Sequence, residues 1–494
     1  MALDISLLLL VIFLLFTLIM FFCSLKKKVT NFREHAVGHR QFSTAAVVAT
    51  IIAVYCPGGL LRASITEAPT GGWPIAHRII IALFPLLILS WLAGRMSKFI
   101  YNLSMPETMG NVYGSYARFV TALFEVCNAI IIVSLQIRMI SEATSLFITS
   151  VSPLAITILI TIVLIVYAMF GGVRAITFTD VWQCIIFSTL IIILAGVILK
   201  KTGKSPLEII HFLQTQNQFQ LHHIMPSHQK VPNTLRYLST LFIALSPYLV
   251  QNVYVCHSPA QARKAFLYAS IFSSILIGCI ILVGLFVFAW LPHLPSHNIW
   301  PQFLAHASPL VKGMVCIIIL SFAMSTVDSR LHVASIMLAY DIPKSIRLLK
   351  KRLHAYQFRM ARIILLALAL LTMVLAFNCS LRTLLQGLIW YGRLYVPTIL
   401  APFILAVLGF RTTSSAAAIG MTTGLLAVFV WQKWLAPIVG TNSGHVPCML
   451  MNGLAMLTTH YLRATMPKGP ATKKILDPLK PKSQPHAVKT NRQN

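Results

Sequence analysis

Acidic side chains are scarce in this sequence. Only 11 Asp and Glu stand against 40 Lys and Arg in 494 residues, and charged residues of both signs make up 10%. An ordinary soluble domain is about one quarter charged, so water alone is a poor solvent for this chain. The nine cysteines are scattered without CxxC spacing or a disulfide-like cluster, which argues against a disulfide scaffold and reads as small hydrophobes in apolar stretches. The 16 histidines include His35 with His39 and His222 with His223, but no acidic or cysteine partners share their spacing, which argues against a metal enzyme. A basic leader and a small-residue cleavage site are missing from the first apolar run, Ile5 to Leu25, so it is expected to be a retained helix.

What the sequence has is apolar length. Hydrophobic residues make up 57% and the mean hydropathy is +0.79. Runs near twenty residues recur, each long enough to cross roughly 30 Å of hydrocarbon as a helix. They predict an all-α integral membrane protein of about 13 transmembrane helices, near 5–25, 44–66, 73–97, 117–148, 152–170, 178–199, 236–255, 265–292, 310–340, 358–378, 384–409, 412–432 and 445–463. Most basic residues fall in alternate connections: Lys26 to Lys28 with Arg33 and Arg40, then Arg95, Lys98 and Arg118, Arg174, Arg263 and Lys264, the run from Lys344 to Arg362, Arg411, and the tail. The positive-inside rule then sets the N-terminus outside and the C-terminus in the cytoplasm. No folded basic domain exists, so the expected partner is a lipid bilayer and not nucleic acid. The Pro- and Lys-rich segment 464–494 reads as a disordered cytoplasmic tail in contact with anionic lipid. Oligomeric state has no signature in the sequence.

Two predicted spans are interrupted at mid-height, the second by Cys56-Pro57-Gly58-Gly59 and the seventh by Ser246-Pro247. Proline kinks are tolerated in membrane helices, but breaks at corresponding places in two halves point to an inverted-repeat transporter with its site between them. The ninth span carries Ser321, Ser325, Asp328, Ser329 and His332 on one helical face, a polar stripe unsuited to lipid. It faces either a cavity or a partner helix, and hydroxyls bonded to their own preceding carbonyls are the alternative. Between spans five and six lies Gly171-Gly172, followed by Thr179-Asp180 at the expected start of span six, where helix capping alone would account for the carboxylate.

These stretches resemble the signatures of the sodium:solute symporter family, which includes sodium/proline, sodium/pantothenate and sodium/glucose carriers. The family pattern Y-x-x-x-G-G-x-x-A-x-x-x-T-D-x-x-Q is matched by Tyr167, Gly171, Gly172, Ala175, Thr179, Asp180 and Gln183. The pattern A-x-M-S-T-x-D-S-x-L-x-V-A-S is met from Met324, Ser325, Thr326, Asp328 and Ser329 to Leu331, Val333, Ala334 and Ser335, with Phe322 in place of its first alanine. A third stretch, Gln251 to Lys264, is similar to the family's Q-R segment and following loop, with Asn252 replacing the arginine and Gln261 a glutamate. The resemblance runs in register from about residue 40 to 410.

The resemblance implies a leucine-transporter-like fold of two five-helix inverted repeats. Residues 1–43 would be an extra helix and basic loop, 44–199 the first repeat, 200–235 an extracellular loop, 236–409 the second repeat, and 410–463 two further helices. It implies a sodium-coupled symporter without cofactor, neither an enzyme nor a channel, in the bacterial inner membrane. Sodium would be held by the backbone carbonyls of Ala53, Cys56 and Phe322 with the hydroxyls of Ser325 and Thr326, and Asp180 and Asp328 would lie on the ion path. The solute would sit at the midplane near Tyr55, Gly58, Gly59, Arg138, Tyr248, Trp390, Tyr391 and Arg393. There the chain departs from the family pattern: Tyr55 stands where sodium/proline carriers place an acid, and Arg393 where small residues are usual. Intramembrane charge is costly enough to imply function. Arg138 and Glu142 are spaced to pair on one helix, whereas Arg393 is a candidate for a substrate carboxylate or for pairing with Glu67 or Glu142. An amino acid such as proline, or another carboxylate, is the expected solute. A transport-defective sensor or regulatory relative is the alternative.

Overall fold

The computed structural model describes residues 5–24, 31–72, 75, 77–147, 152–220, 230–243, 245–346 and 356–465. Lys26 to Lys28, His222 and His223, much of the Lys344–Arg362 run and nearly all of the 464–494 tail lie outside the described residues. Helices run in the order α1 (Ile5–Ser24), α2 (Phe32–Val37), α3 (Thr44–Tyr55), α4 (Leu60–Gly71), α5 (His77–Ala93), α6 (Met105–Tyr113), α7 (Ser115–Phe147), α8 (Pro153–Thr202), α9 (Pro206–Thr215), α10 (Lys230–Ile243) and α11 (Pro247–Val255). They continue with α12 (Pro259–Trp290), α13 (Ser296–His306), α14 (Pro309–Ile336), α15 (Ile342–Ser345), α16 (Gln357–Asn378), α17 (Leu381–Tyr395), α18 (Ala401–Val407), α19 (Ser414–Val430), α20 (Ala436–Val439) and α21 (His445–Thr465). π-Helical turns join α14 to α15, α17 to α18 and α19 to α20.

Among the described residues, nine helical segments are long and apolar enough to cross a membrane, or ten when the bent pair α3 and α4 counts as one span. His77–Ala93 and Leu154–Val166 are apolar but shorter, and α21 meets the position expected for the last span. Four helices interrupt what the sequence read as plain connections: α2, α6, α9 and α13. Three of them, α2, α6 and α9, open on a side-chain cap. In α9 Ser205 and Glu208 form a reciprocal capping box, and in α6 Ser104 Oγ accepts from Glu107 N.

Burial orders the bundle. The most apolar part of α14 is 89% buried, against 28% for α1 and for the second half of α8, so α14 is the central post and the others face outward. It packs on α7, α8, α1, α16 and α3, while α12 packs on α5, α4, α3 and α8. Outward positions such as Ile12, Phe22, Ile192 and Ile275 are large, apolar and exposed, as a lipid-facing belt requires.

The break in the second span is as the sequence expects: α3 and α4 meet at 55°. The seventh is also divided, with Ser246 in extended conformation ahead of Pro247, the first residue of α11. The turn between spans five and six is a sharp kink inside α8, where Gly172 adopts φ 58 and ψ −162, a conformation that excludes most side chains. Helix resumes directly after it, so Asp180 lies two turns inside. The expectation that span six begins at Asp180 is thereby corrected, and with it the alternative that Asp180 is only a helix cap.

Candidate functional site

Pro57 creates the first feature of the site. Lacking an N–H, it cannot close the helical bond to the carbonyl four residues back, which is that of Ala53. The next helical donor, Gly58 N–H, is also diverted, donating to Gln136 Oε1 at 3.1 Å. Cys56 leaves helical geometry at φ −94 and ψ 105 and turns its carbonyl off the α3 axis. The end of α3 therefore presents carbonyl oxygens at the negative pole of a half-helix.

The polar stripe of α14 meets these oxygens. Ser325 Oγ donates to Ala53 O at 2.9 Å and lies 3.1 Å from Phe322 O, and Thr326 Oγ1 donates to Phe322 O at 2.9 Å. Ala53, Cys56, Phe322, Ser325 and Thr326 are all buried. Carbonyl and hydroxyl oxygens in this number and setting suit a hard monovalent or divalent cation. The phenylalanine at 322 is no obstacle, because a carbonyl ligand is independent of the side chain, and its ring packs at a tilt of 38° against Phe187 with centroids 4.3 Å apart. One turn further along α14, Asp328 accepts from Ser329 N at 2.5 Å and faces the buried carboxylate of Asp180, beside Thr50. Among the described residues, no cluster of three or more His, Cys, Asp or Glu side chains is placed to hold a metal ion.

A cavity of about 460 Å³ at the outer edge, bounded by α17 and the α19–α21 region, holds Arg393 with Arg236, Gln432 and Asn442. A larger one of about 620 Å³ lies beside the α3–α4 break. Its wall includes the polar or aromatic residues Tyr55, Arg62, Asn128, Gln136, Tyr248, Thr326, Arg330 and Tyr391, and the apolar Val54, Ile132, Leu135, Met139, Leu381, Leu385 and Leu388. Thr326 belongs both to this wall and to the cation-suited oxygens. Past Tyr248 and Val54 the space narrows to about 30 Å³ among Thr50, Asn252, Ser329 and His332. Val54 and Tyr248 thus line both spaces.

Of the expected solute-site residues, Tyr55, Gly59, Tyr248 and Tyr391 line this cavity, and Gly58 lies just behind it. Tyr55 donates its hydroxyl to Ile81 O at 2.7 Å and offers its ring. Three others lie elsewhere. Arg138 Nη1 donates to Ala376 O and Cys379 O at 3.1 and 2.9 Å and its Nε is 3.9 Å from Glu142, so carbonyls at the end of α16 absorb its charge. Trp390 is exposed on the outer face of α17 with the Arg393 guanidinium 5.1 Å from its ring. Arg393 follows that face outward to the edge cavity, and the pairings considered for it do not form: Glu67 bonds Arg78 and Glu142 bonds Arg62.

Sequence reasoning missed Arg330, Asn128 and Glu125. Arg330 is 5% exposed, stands in the cavity wall, and lies with its guanidinium 3.6 Å from the centroid of the Tyr248 ring. It sits four residues after Thr326, so helical spacing from a site residue was the available signal. Glu125, fully buried one turn before Asn128, lies near Arg330, Tyr391 and Tyr395 but outside the cavity wall.

A solute-sized chamber beside helices broken in mid-span defines a membrane carrier. The chain belongs to the sodium:solute symporter family, whose model matches residues 35–424. A sodium/proline symporter of Staphylococcus aureus (strain bovine RF122 / ET3-1) is 25% identical over 307 residues, 58% of this chain and 56% of that protein. Another, from strain Newman, is 34% identical over 138 residues, 27% of this chain and 26% of that protein. The matched segments thus span about half and about a quarter of those relatives. Among solved structures, a substrate-bound, outward-open Na+-coupled sialic acid symporter superposes with TM-score 0.77 at 18% identity, covering 93% of this chain and 98% of that one. Mhp1, a nucleobase-cation-symport-1 family transporter, superposes at 0.58 with 13% identity over 86% and 94% of the two chains. The fold is leucine-transporter-like, and the family and structural neighbours are transporters rather than enzymes.

Proposed function

We propose that the chain is a sodium-coupled secondary active symporter of a small organic solute bearing a carboxylate, with an amino acid such as proline in that class. The observation that carries this reading is Thr326, shared by the cation-suited oxygens and the solute-sized cavity, because coupling needs ion and solute to act on the same moving wall. Sodium is held by the carbonyls of Ala53, Cys56 and Phe322 and the hydroxyls of Ser325 and Thr326. Asp180 and Asp328 mark its path on the side away from the cavity. The repeats span 44–199 and 236–409, thirteen helices cross the inner membrane, and the N-terminus is outside. No cofactor or covalent step is required.

The test is uptake of labelled amino and organic acids, proline included, into proteoliposomes under an imposed sodium, proton or null gradient. Accumulation driven by sodium is expected. Accumulation indifferent to sodium would overturn the assignment.

A further inference from the structure

The central cavity is chemically lopsided. Most of its wall is aliphatic or aromatic, and the described residues lining it include two cations, Arg62 and Arg330, and no aspartate or glutamate. Arg62 is neutralised, because it bonds Glu142 across the α4–α7 contact. Arg330 is different. It is nearly fully buried, its Nε and Nη1 have no hydrogen-bond partner, and among the described residues no carboxylate oxygen lies within the 4.0 Å of an ion pair. The Tyr248 ring lies against it, with the guanidinium carbon 3.6 Å from the ring centroid.

A guanidinium in such a place is expensive to bury and strongly favours an anion that can accept two of its N–H groups. Glu125 is close enough to offset part of that burial, yet it lies behind the wall and leaves the cavity face of Arg330 open. A substrate ammonium group finds no such host. Among the described residues no carboxylate lines the wall, one face of Tyr248 is taken by Arg330, and Tyr391 is stacked on Tyr395 with centroids 5.2 Å apart. The remaining surface, from Ile132, Leu135, Met139, Leu385 and Leu388, suits a compact apolar body.

We propose that Arg330, stacked on Tyr248, receives the carboxylate of a compact, apolar-bodied monocarboxylate, and that the site makes no demand for a substrate ammonium group. This rests on the carrier reading above and names the solute class of that same cavity.

The experiment uses the full-length protein in proteoliposomes with labelled propionate, pyruvate, benzoate and proline under a sodium gradient. The matching amides, propionamide, pyruvamide and benzamide, serve as competitors. Sodium-induced thermal stabilisation of the detergent-solubilised protein is measured in parallel. Sodium-driven uptake of at least one of the three monocarboxylates is expected, with its amide competing at least 10-fold more weakly than the acid. Arg330→Gln should raise the half-saturating acid concentration at least 10-fold while sodium still stabilises the variant, and Glu125→Gln should retain uptake. Equal competition by the amide, unchanged affinity in Arg330→Gln, or uptake confined to proline overturns the proposal and leaves the carrier reading standing. Sodium stabilisation without uptake of any of the three monocarboxylates also counts against the proposed class. Absence of both uptake and sodium stabilisation overturns the carrier reading itself, and this proposal with it. The amide comparison is made on the unaltered chain, so it decides the matter even where Arg330→Gln fails to fold.

Discussion

Ser325 Oγ reaches across from α14 to the Ala53 carbonyl at 2.9 Å, an oxygen left without its helical donor by Pro57. The contact joins the end of α3 to the polar stripe of α14, and it puts a hydroxyl lone pair beside the carbonyl oxygens of Ala53 and Phe322. Replacing Ser325 and Thr326 together by alanine removes both hydroxyls and leaves the carbonyls. The sodium concentration for half-maximal uptake should rise about 10-fold or more, the equivalent of losing roughly 1.4 kcal/mol of ion binding. An uptake curve with unaltered sodium dependence would take those hydroxyls out of the ion site.

A second prediction concerns the seat of the broken span. Gly284 of α12 lies so close to α4 that a Cβ there would come within 2.4 Å of the Ser64 carbonyl oxygen and 2.8 Å of its carbon. Both are backbone atoms with no rotamer to yield. Gly284→Ala must push α12 away from α4, at about 1 to 3 kcal/mol for overpacking. Thermal unfolding of the purified protein should show a clearly lowered midpoint, and an unchanged midpoint would mean that the helices part freely.

The breaks and the ion-suited oxygens were legible because they rest on backbone chemistry. Proline without an N–H, glycines beside it, and hydroxyls at helical spacing on α14 carry their consequences wherever they occur. The cavity's charge was not legible in the same way. Arg138, Arg330 and Arg393 are each an arginine in an apolar span, and a one-dimensional reading ranked Arg393 first for want of a local partner. Their fates depend on neighbours distant in sequence: the α16 carbonyls of Ala376 and Cys379 for Arg138, the Tyr248 ring for Arg330, and the outer edge for Arg393. Short amphipathic helices such as α6 were lost because a span-length hydropathy window averages them with their polar flanks.

A third prediction addresses the buried charges where α6, α7 and the end of α14 converge. Arg118 Nε is 3.3 Å from Asp341 Oδ1 and its Nη2 is 3.4 Å from Glu107 Oε1. Ser104 Oγ donates to Asp341 Oδ2 at 2.6 Å, and Tyr340 donates to Glu107 at 2.7 Å. Asp341→Ala leaves Arg118 with half its counter-charge in a buried setting, and should destabilise by about 3 to 5 kcal/mol. Asp341→Asn keeps the Ser104 bond and should cost less. Joint replacement, Arg118→Met with Asp341→Leu, should recover most of the loss in a denaturation experiment. No recovery would mean that the pair stabilises beyond what apolar packing can supply.

The last prediction is a pH dependence that originates in α2. His35 is fully buried there, its ring 4.8 Å from that of His332 and 5.2 Å from that of Phe358. Burial first, then the neighbouring His332 and Arg362, hold its pKa well below the ordinary histidine value of 6.5. The folded chain therefore keeps His35 neutral at pH values where the unfolded chain has already taken up a proton. Stability from this residue is complete above about pH 6.5 and is lost as pH falls below it, by at most about 1.4 kcal/mol per pH unit for one proton. The unaltered protein should accordingly lose more thermal stability between pH 7.5 and 5.5 than His35→Gln, whose side chain does not titrate. The remaining titratable groups are common to both proteins, so the difference between the two pH curves isolates His35. Superimposable slopes would mean that α2 opens to water at acid pH without strain on the α8 and α14 surfaces it covers.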